Sequence, residues 1–421
     1  MDDSDGSISQ KRLVHGARLR ALPLNVDCPA RCAFCYERRV PAVLPHVRTE
    51  HIPRYDDARF DAFRQMVARA RDWEAETGRA PVFGILPTFE RTPQGIAHFP
   101  VCDVFSSGLS HDQIEELVRM REGDVCMLYA VGLNLDLDFI AYLTRRYPET
   151  FRLHLSIVTF DPDLRRQLMN PDIDVDVLRR ACTLTRDATF FLMLLTADQL
   201  AADVEEVLAA TSADNGGLFV HKLYYDRCSP RRVVELAREA ALQREVAVRR
   251  IASLPRAGRR IMCSLGADIQ AYTRRFEIYT MLSRCTEEAD EVIFCSPGTY
   301  AVIDGYYRSS GNLVRAMGSA FGGNLDFVQG CTARDVVAQL EELVTAGHRL
   351  RRVVVPDAMF WLDGAYDLNG ERAESIAAAF PDLSLEVVAV PPEVVCSVVD
   401  LDDCLVYFND FHRPVAAPMA E

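Results

Sequence analysis

Asn25-Val26-Asp27-Cys28-Pro29-Ala30-Arg31-Cys32-Ala33-Phe34-Cys35-Tyr36 stands directly behind an apolar run at 20–26. That run is short and bounded by polar residues, which predicts a buried strand. The loop behind it carries Cys28, Cys32 and Cys35 in the spacing CxxxCxxC. Three thiolates on one loop can each bind one iron of a four-iron, four-sulfur cube. The fourth iron then has no cysteine from this loop and stays open to a substrate or cofactor, as a catalytic zinc site does. In β/α barrels the chemistry collects on loops at the C-terminal ends of strands, and this loop is the first of them. The alternative is a zinc site or a set of structural thiols. Structural zinc usually takes four ligands in paired clusters, and no second CxxC occurs in the chain.

Outward from the loop, further apolar runs lie near 81–86, 125–131, 151–158, 189–195 and 217–223. Helical stretches separate them. Residues 56–76 place Phe60, Phe63, Met66, Val67, Ala70 and Trp73 on one face, with Gly78 to end the run. Residues 136–147 bring Phe139, Ile140 and Leu143 inward, and 197–210 bring Leu200, Val204, Val207 and Leu208. Ser229-Pro230 opens another helix, with the hydroxyl as cap and the proline in the first helical position. Strand–helix alternation of this kind predicts a parallel sheet. Six units by residue 243 predict a partial (β/α)6 barrel over 19–243, after a polar, loosely ordered start at 1–18.

Residues 244–265 are basic and irregular and are assigned as a linker. A smaller C-terminal α/β domain spans 266–415. It is expected to hold a helix to Arg284, a strand at 291–295, a Gly/Ser-rich stretch from Ser296 to Gly323, a helix from the Thr332 cap to Gly347, and strands at 351–355, 384–390 and 395–399. The turn Cys295-Ser296-Pro297-Gly298-Thr299 and the stretch Gly318 to Asn324 are weak candidates for backbone amide nests that hold an anion.

The 421 residues are 49% hydrophobic and 26% charged, an ordinary globular composition that excludes disordered and fibrous classes. No apolar run approaches the roughly 20 residues of a membrane span. The start Met-Asp-Asp-Ser-Asp-Gly is acidic and polar, unlike a secretory signal. A net charge of −14 lacks the basic footprint of a nucleic-acid binder, so RNA and DNA are poor candidates as partners. Thirteen scattered cysteines fit reduced thiols in a cytoplasmic protein better than a secreted disulfide scaffold. Lys11 and Lys222 are the only lysines. Lys222 ends a predicted strand, where a cation can meet a carboxylate; the alternative is a solvated strand end.

With Cys28, Cys32 and Cys35, and the aromatic Phe34 before the last cysteine, residues 18–243 resemble the radical S-adenosylmethionine (radical SAM) superfamily. The resemblance implies a [4Fe-4S] cluster whose open iron chelates the amino and carboxylate groups of SAM. It implies one-electron cleavage of the sulfonium and hydrogen abstraction from a substrate by the 5′-deoxyadenosyl radical. Phe34 would lie near the adenine. Ser156 and Thr159, in Ser156-Ile157-Val158-Thr159-Phe160-Asp161, match the place where family members present a polar group to the SAM ribose or carboxylate. Lys222 is a candidate for a SAM or substrate carboxylate. Where the family often has a Gly-Gly-Glu-like turn, this chain reads Phe83-Gly84-Ile85-Leu86-Pro87-Thr88.

The C-terminal part resembles a domain of unknown function in one branch of that superfamily, through Asn324 to Thr332 and Val353 to Phe360. The branch includes the methanogen enzyme that methylates an arginine of methyl-coenzyme M reductase, which also uses cobalamin. The cobalamin signature Asp-x-His-x-x-Gly is absent here. Cys263, Cys285, Cys295, Cys331, Cys396 and Cys404 offer thiols for an auxiliary iron–sulfur cluster but match no compact motif. The resulting expectation is an oxygen-sensitive radical SAM enzyme acting on a metabolite, natural-product intermediate or peptide. A reductase, flavodoxin or ferredoxin would supply the electron. The alternative is a non-catalytic iron–sulfur protein for electron transfer or scaffolding.

Overall fold

The computed structural model describes residues 24–25, 27–51, 54–61, 64–65, 89–99, 101–120, 126–169, 173–185, 188–211, 217–254, 260–264, 277, 281–282, 290–362 and 365–388. The run at 20–26 is represented by β1, Leu24–Asn25, which pairs antiparallel with Val101–Cys102 rather than joining a parallel sheet. Behind it, residues 27–36 form the cysteine loop. A 3-10 turn at Glu37–Arg39 then leads into α1, Val40–Val43, with Pro41 in its first turn, where a missing N–H removes no helical bond. β2, Arg48–Thr49, pairs parallel with Gly95–His98. β3, Phe89–Thr92, and β4, Gly95–His98, make an antiparallel hairpin, and β5 is Val101–Cys102. The expected strand at 81–86 and most of the helix at 56–76 lie outside the described residues; 57–61 and 64–65 are helical.

A five-stranded parallel sheet follows, with its strands side by side in chain order. They are β6, Cys126–Ala130; β7, Phe151–Val158; β8, Thr189–Leu194; β9, Gly217–Lys222; and β10, Arg260–Ser264. Four of them occupy the apolar runs expected between 125 and 223. The helices are α2, His111–Met120; α3, Leu137–Arg146; α4, Pro162–Leu168; α5, Val175–Leu184; α6, Ala197–Ala210; α7, Arg231–Leu242; and α8, Arg244–Ser253. Four of these starts are set locally. Asp136, Asp161 and Asp174 accept backbone N–H groups of α3, α4 and α5, and Thr196 with Gln199 forms a capping box on α6.

Two expectations change here. Pro230 itself is the N-cap of α7, and the Ser229 hydroxyl instead accepts the Asp226 amide at 2.8 Å. The stretch 244–265, read as an irregular linker, contains α8 and β10, and β10 extends the sheet beside β9. Arg244, Arg249 and Arg250 mark the exposed side of a helix whose Ala247 and Ile251 are buried.

The helices cover one face of this sheet. On β7, Phe151, Leu153, Leu155 and Ile157 are buried while Arg152, His154 and Ser156 on the other face are half-buried, the period-two signature of a strand. Leu128, Leu153, Leu155, Leu192 and Val220 pack with Ile140, Leu143, Leu178, Leu200 and Val204 in one core. Each such side chain stabilises the fold by roughly 1.5–3 kcal/mol.

The C-terminal sheet is also parallel: β11, Glu291–Cys295; β12, Leu313–Ala316; β13, Arg352–Pro356; and β14, Ser384–Val388, in the order β12-β11-β13-β14. Helices α9, Tyr300–Tyr307; α10, Ala333–Thr345; and α11, Ala373–Ala379 connect them. Val292, Phe294, Val353 and Val355 face α10 and α11, whereas Ile293, Cys295 and Val354 face α9 and Met281–Leu282. Helices on both faces explain why these strands read as unbroken apolar runs. Thr332 caps α10 and Gly347, at φ +87°, follows its end, as expected. Glu277 and Met281–Leu282 are helical, and the strand expected at 395–399 lies outside the described residues. The chain is thus a mixed α/β protein built on parallel sheets.

A strap at 318–327 from the second sheet docks beside the end of β9. Arg227 N donates to Phe321 O at 3.0 Å, Asn324 N to Tyr225 O at 3.0 Å, and Asn324 Nδ2 to Leu223 O at 2.9 Å. Gly323 has φ +68°, and a Cβ there would stand 2.1 Å from Tyr225 O, so only glycine admits the approach. The amides proposed for anion nests are engaged within the fold. Ser296 N donates to Glu277, Gly298 N to Asp326 O, Gly318 N to Asp335 and Asn324 N to Tyr225 O.

Candidate functional site

The cysteine loop is held from two sides. Ala33 N donates to Leu168 O, the last residue of α4, at 2.7 Å. Arg39 donates through Nη1 to Ala33 O at 2.6 Å and through Nη2 to Phe34 O at 3.0 Å, while its Nε meets Asp226 Oδ2 at 2.6 Å. Asp226 is buried behind β9 and accepts the Cys228 amide with its other oxygen. Within the loop, Cys35 N donates to Cys32 O at 3.2 Å and Arg31 takes a positive φ of 52°. Phe34 is half-buried and packs on the main core. Tyr36 meets Phe321 edge-on at 5.7 Å and Phe327 at 6.0 Å, so the strap walls this end of the loop.

Cys28, Cys32 and Cys35 are half-buried thiols outside any disulfide. Burial pushes the Cys35 thiol up to about 12, and the Glu37 carboxylate adds to the effect. Cys32 is raised further, by burial first and then by Cys35 and Cys28; Arg165 and Arg38 pull it back. The loop therefore brings the three sulfurs within electrostatic reach of one another. Without a cation Cys32 and Cys35 stay protonated at neutral pH, and a bound metal would displace their protons. Among the described residues no three His, Cys, Asp or Glu side chains converge on a point that could hold a single ion. A cube does not need such convergence, because each cysteine binds its own iron.

The turn after β7 lies beside the loop. Val158, β-branched and buried, has φ +68° at a break in register with β8. Such a conformation persists only where its surroundings impose it. Arg165 supplies that constraint: its Nη1 donates to both Ile157 O and Thr159 O. The side chain is buried, and its Nε and Nη2 have no hydrogen-bond partner among the described residues. Burial lowers its pKa to about 10, with Cys32 and Asp203 opposing. This unpaired edge and the three clustered thiols fit the binding of an anionic iron–sulfur group.

The other expected residues divide. Ser156 sits on the half-open sheet face beside His154. The Thr159 hydroxyl is buried, accepting Gln199 Nε2 at 3.1 Å and Asp161 N at 3.0 Å, so it braces the turn. Lys222 forms an ion pair with Asp326 of the strap and stands 5.5 Å over the Tyr224 ring. Cys126, Cys182, Cys295 and Cys331 are buried, and Cys228 is exposed. Cys285, Cys396, Cys404 and the Phe83-to-Thr88 turn lie outside the described residues, as do the side chains of Cys102 and Cys263.

Sequence reasoning missed Arg39, Asp226, Arg165 and Asp103. Asp103 accepts Phe105 N at 2.7 Å and Val131 N at 2.8 Å, tying the end of β6 to the region of Cys28. Burial, with a smaller contribution from Cys28, raises it to about 7 against the backbone amides that it accepts. In a chain whose cations are almost all arginine, neither Arg39 nor Arg165 stands out. No protein-family model matches the chain, and no curated protein matches it.

Proposed function

We propose that this protein is a radical SAM enzyme and that its five-stranded parallel sheet, which reaches Ser264 through β10, belongs to a partial barrel with the cysteine loop at its mouth. Cys28, Cys32 and Cys35 would hold a [4Fe-4S] cluster, and SAM would chelate the iron that no cysteine reaches. When bound, such a cluster would supply the electron for cleaving the C5′–S bond of SAM to methionine and a 5′-deoxyadenosyl group that would take hydrogen from a metabolite, natural-product intermediate or peptide. The chain's own groups do the rest. Arg39 and Leu168 O fix the loop backbone. Phe34 and Ser156 are available to the adenine and ribose. Tyr36, Phe321 and Phe327 screen the loop from water at one end, which protects a reactive intermediate and strengthens polar contacts inside.

The observation that carries this reading is the CxxxCxxC spacing of three cysteines on one braced loop, with a buried guanidinium edge that has no hydrogen-bond partner among the described residues and acts electrostatically on Cys32. A cytoplasmic setting with a flavodoxin, ferredoxin or reductase as donor suits the chemistry. No described helix is long and apolar enough to cross a membrane. The test is anaerobic reconstitution followed by SAM and dithionite. Formation of 5′-deoxyadenosine supports the reading. A brown protein that yields none supports an electron-transfer or scaffold role instead.

A further inference from the structure

We propose that Arg165 is a positioning residue for the iron–sulfur cluster: the open edge of its guanidinium donates to the Cys32 sulfur, or to the cluster sulfide beside it, and its charge eases one-electron reduction. The proposal rests on the cluster reading above.

Arg165 is 3% exposed, so its charge cannot be satisfied by bulk water. Nη1 is engaged by the carbonyls of Ile157 and Thr159, which fixes the plane of the group. Nε and Nη2 remain inside the protein with no acceptor among the described residues. A buried donor left unmade costs on the order of 1–3 kcal/mol, more when charged. Asp203, the buried carboxylate nearby, is occupied: its oxygens accept Phe160 N and Gln199 Nε2. A cluster on the cysteine loop would bring the negative charge that this edge lacks, since metal-bound thiols are deprotonated. Residues 165 and 168 share a face of α4 by their spacing, and Leu168 O holds the amide of Ala33, next to Cys32. Arg165 and Cys32 also act on each other electrostatically.

The positive-φ turn at Val158 fits the same account. A bulge that re-aims the chain at the end of β7 is a recognised device beside active sites. Here it turns the Ile157 and Thr159 carbonyls toward one guanidinium nitrogen. Hydrogen bonds to cluster sulfurs and the local net charge set the reduction potential of iron–sulfur centres. A fixed cation stabilises the more negative reduced cluster more than the oxidised one, so its loss lowers the potential.

The experiment compares full-length wild type, Arg165→Lys and Arg165→Gln after anaerobic reconstitution. Iron and sulfide are counted, and the midpoint potential is read by electron paramagnetic resonance during a reductive titration without SAM. The expected order is wild type, then lysine, then glutamine. The glutamine variant should lose at least tenfold in its reduction equilibrium, which is 59 mV for a one-electron couple. A fully loaded glutamine variant with the wild-type potential overturns the proposal. So does one that keeps the potential but loses SAM affinity, since Arg165 would then serve the SAM carboxylate. If the glutamine variant takes up no iron, the lysine variant decides: full loading supports a need for the charge, and empty protein overturns it. A wild type that takes up no iron sinks the cluster reading itself, and the iron count shows this before any variant is compared.

Discussion

Arg39 Nε stands 2.6 Å from Asp226 Oδ2, joining residues 187 positions apart, with the Asp226 side chain fully buried. The same guanidinium holds the Ala33 and Phe34 carbonyls. One side chain therefore locks the cysteine loop onto the end of β9.

Removing Arg39 should be severe. Arg39→Met leaves the buried Asp226 carboxylate without its cation and frees two loop carbonyls. Breaking a buried pair from one side costs about 3–5 kcal/mol. Urea unfolding should show a loss of that size, and iron uptake after reconstitution should fall with it. Unchanged stability and iron content would contradict the bracing role.

Loss of any one loop cysteine should abolish the proposed chemistry while sparing the fold. Cys32→Ala removes a half-buried thiol at low packing cost, so circular dichroism should match wild type. Brown colour and 5′-deoxyadenosine formation should both disappear. A variant that keeps its full cluster and cleaves SAM would remove Cys32 from the ligand set.

Gly323 and Gly311 separate strain from collision. Both have positive φ, but a Cβ at Gly311 meets nothing within 4 Å and one at Gly323 lies 2.1 Å from Tyr225 O. Gly311→Ala should lose about 1 kcal/mol from backbone strain alone. Gly323→Ala should lose clearly more, and protease cleavage in the strap at 318–327 should accelerate. Equal losses in unfolding assays would deny the close approach of strap and loop.

His154 should make stability depend on pH. Burial lowers its pKa to about 4 from an ordinary 6.5, so the folded state favours the neutral ring. Between those values the unfolded chain binds the extra proton, and stability falls as pH drops from 6.5 toward 4. Asp103 opposes this: its pKa is raised to about 7, so it loses stability as pH rises from about 4 to 7. His154→Phe retains a ring 4.4 Å from Tyr129 and removes the titration. Its stability should decline less than wild type over that interval in thermal melts at stepped pH.

Much of the architecture could be read locally. Strands β6 to β9 fall on the apolar runs, and α3, α6 and α10 on the periodic stretches, because burial imposes a period on neighbouring residues. The exception is instructive. Residues 244–265 read as a linker since α8 buries little more than Ala247 and Ile251, and β10 earns its place by pairing with β9, a partner about 43 residues earlier.

The amino-acid sequence alone determined the trio Cys28, Cys32 and Cys35, the strand–helix alternation and the α/β class, since each rests on spacing within a short stretch. Tertiary structure alone decided what surrounds the trio. Arg39 finds Asp226, Arg165 braces Val158 beside Cys32, and Lys222 turns to Asp326 of the strap. Those pairings depend on burial and on residues far apart in the chain, and one arginine among many carries no local mark of the charge it will be folded against.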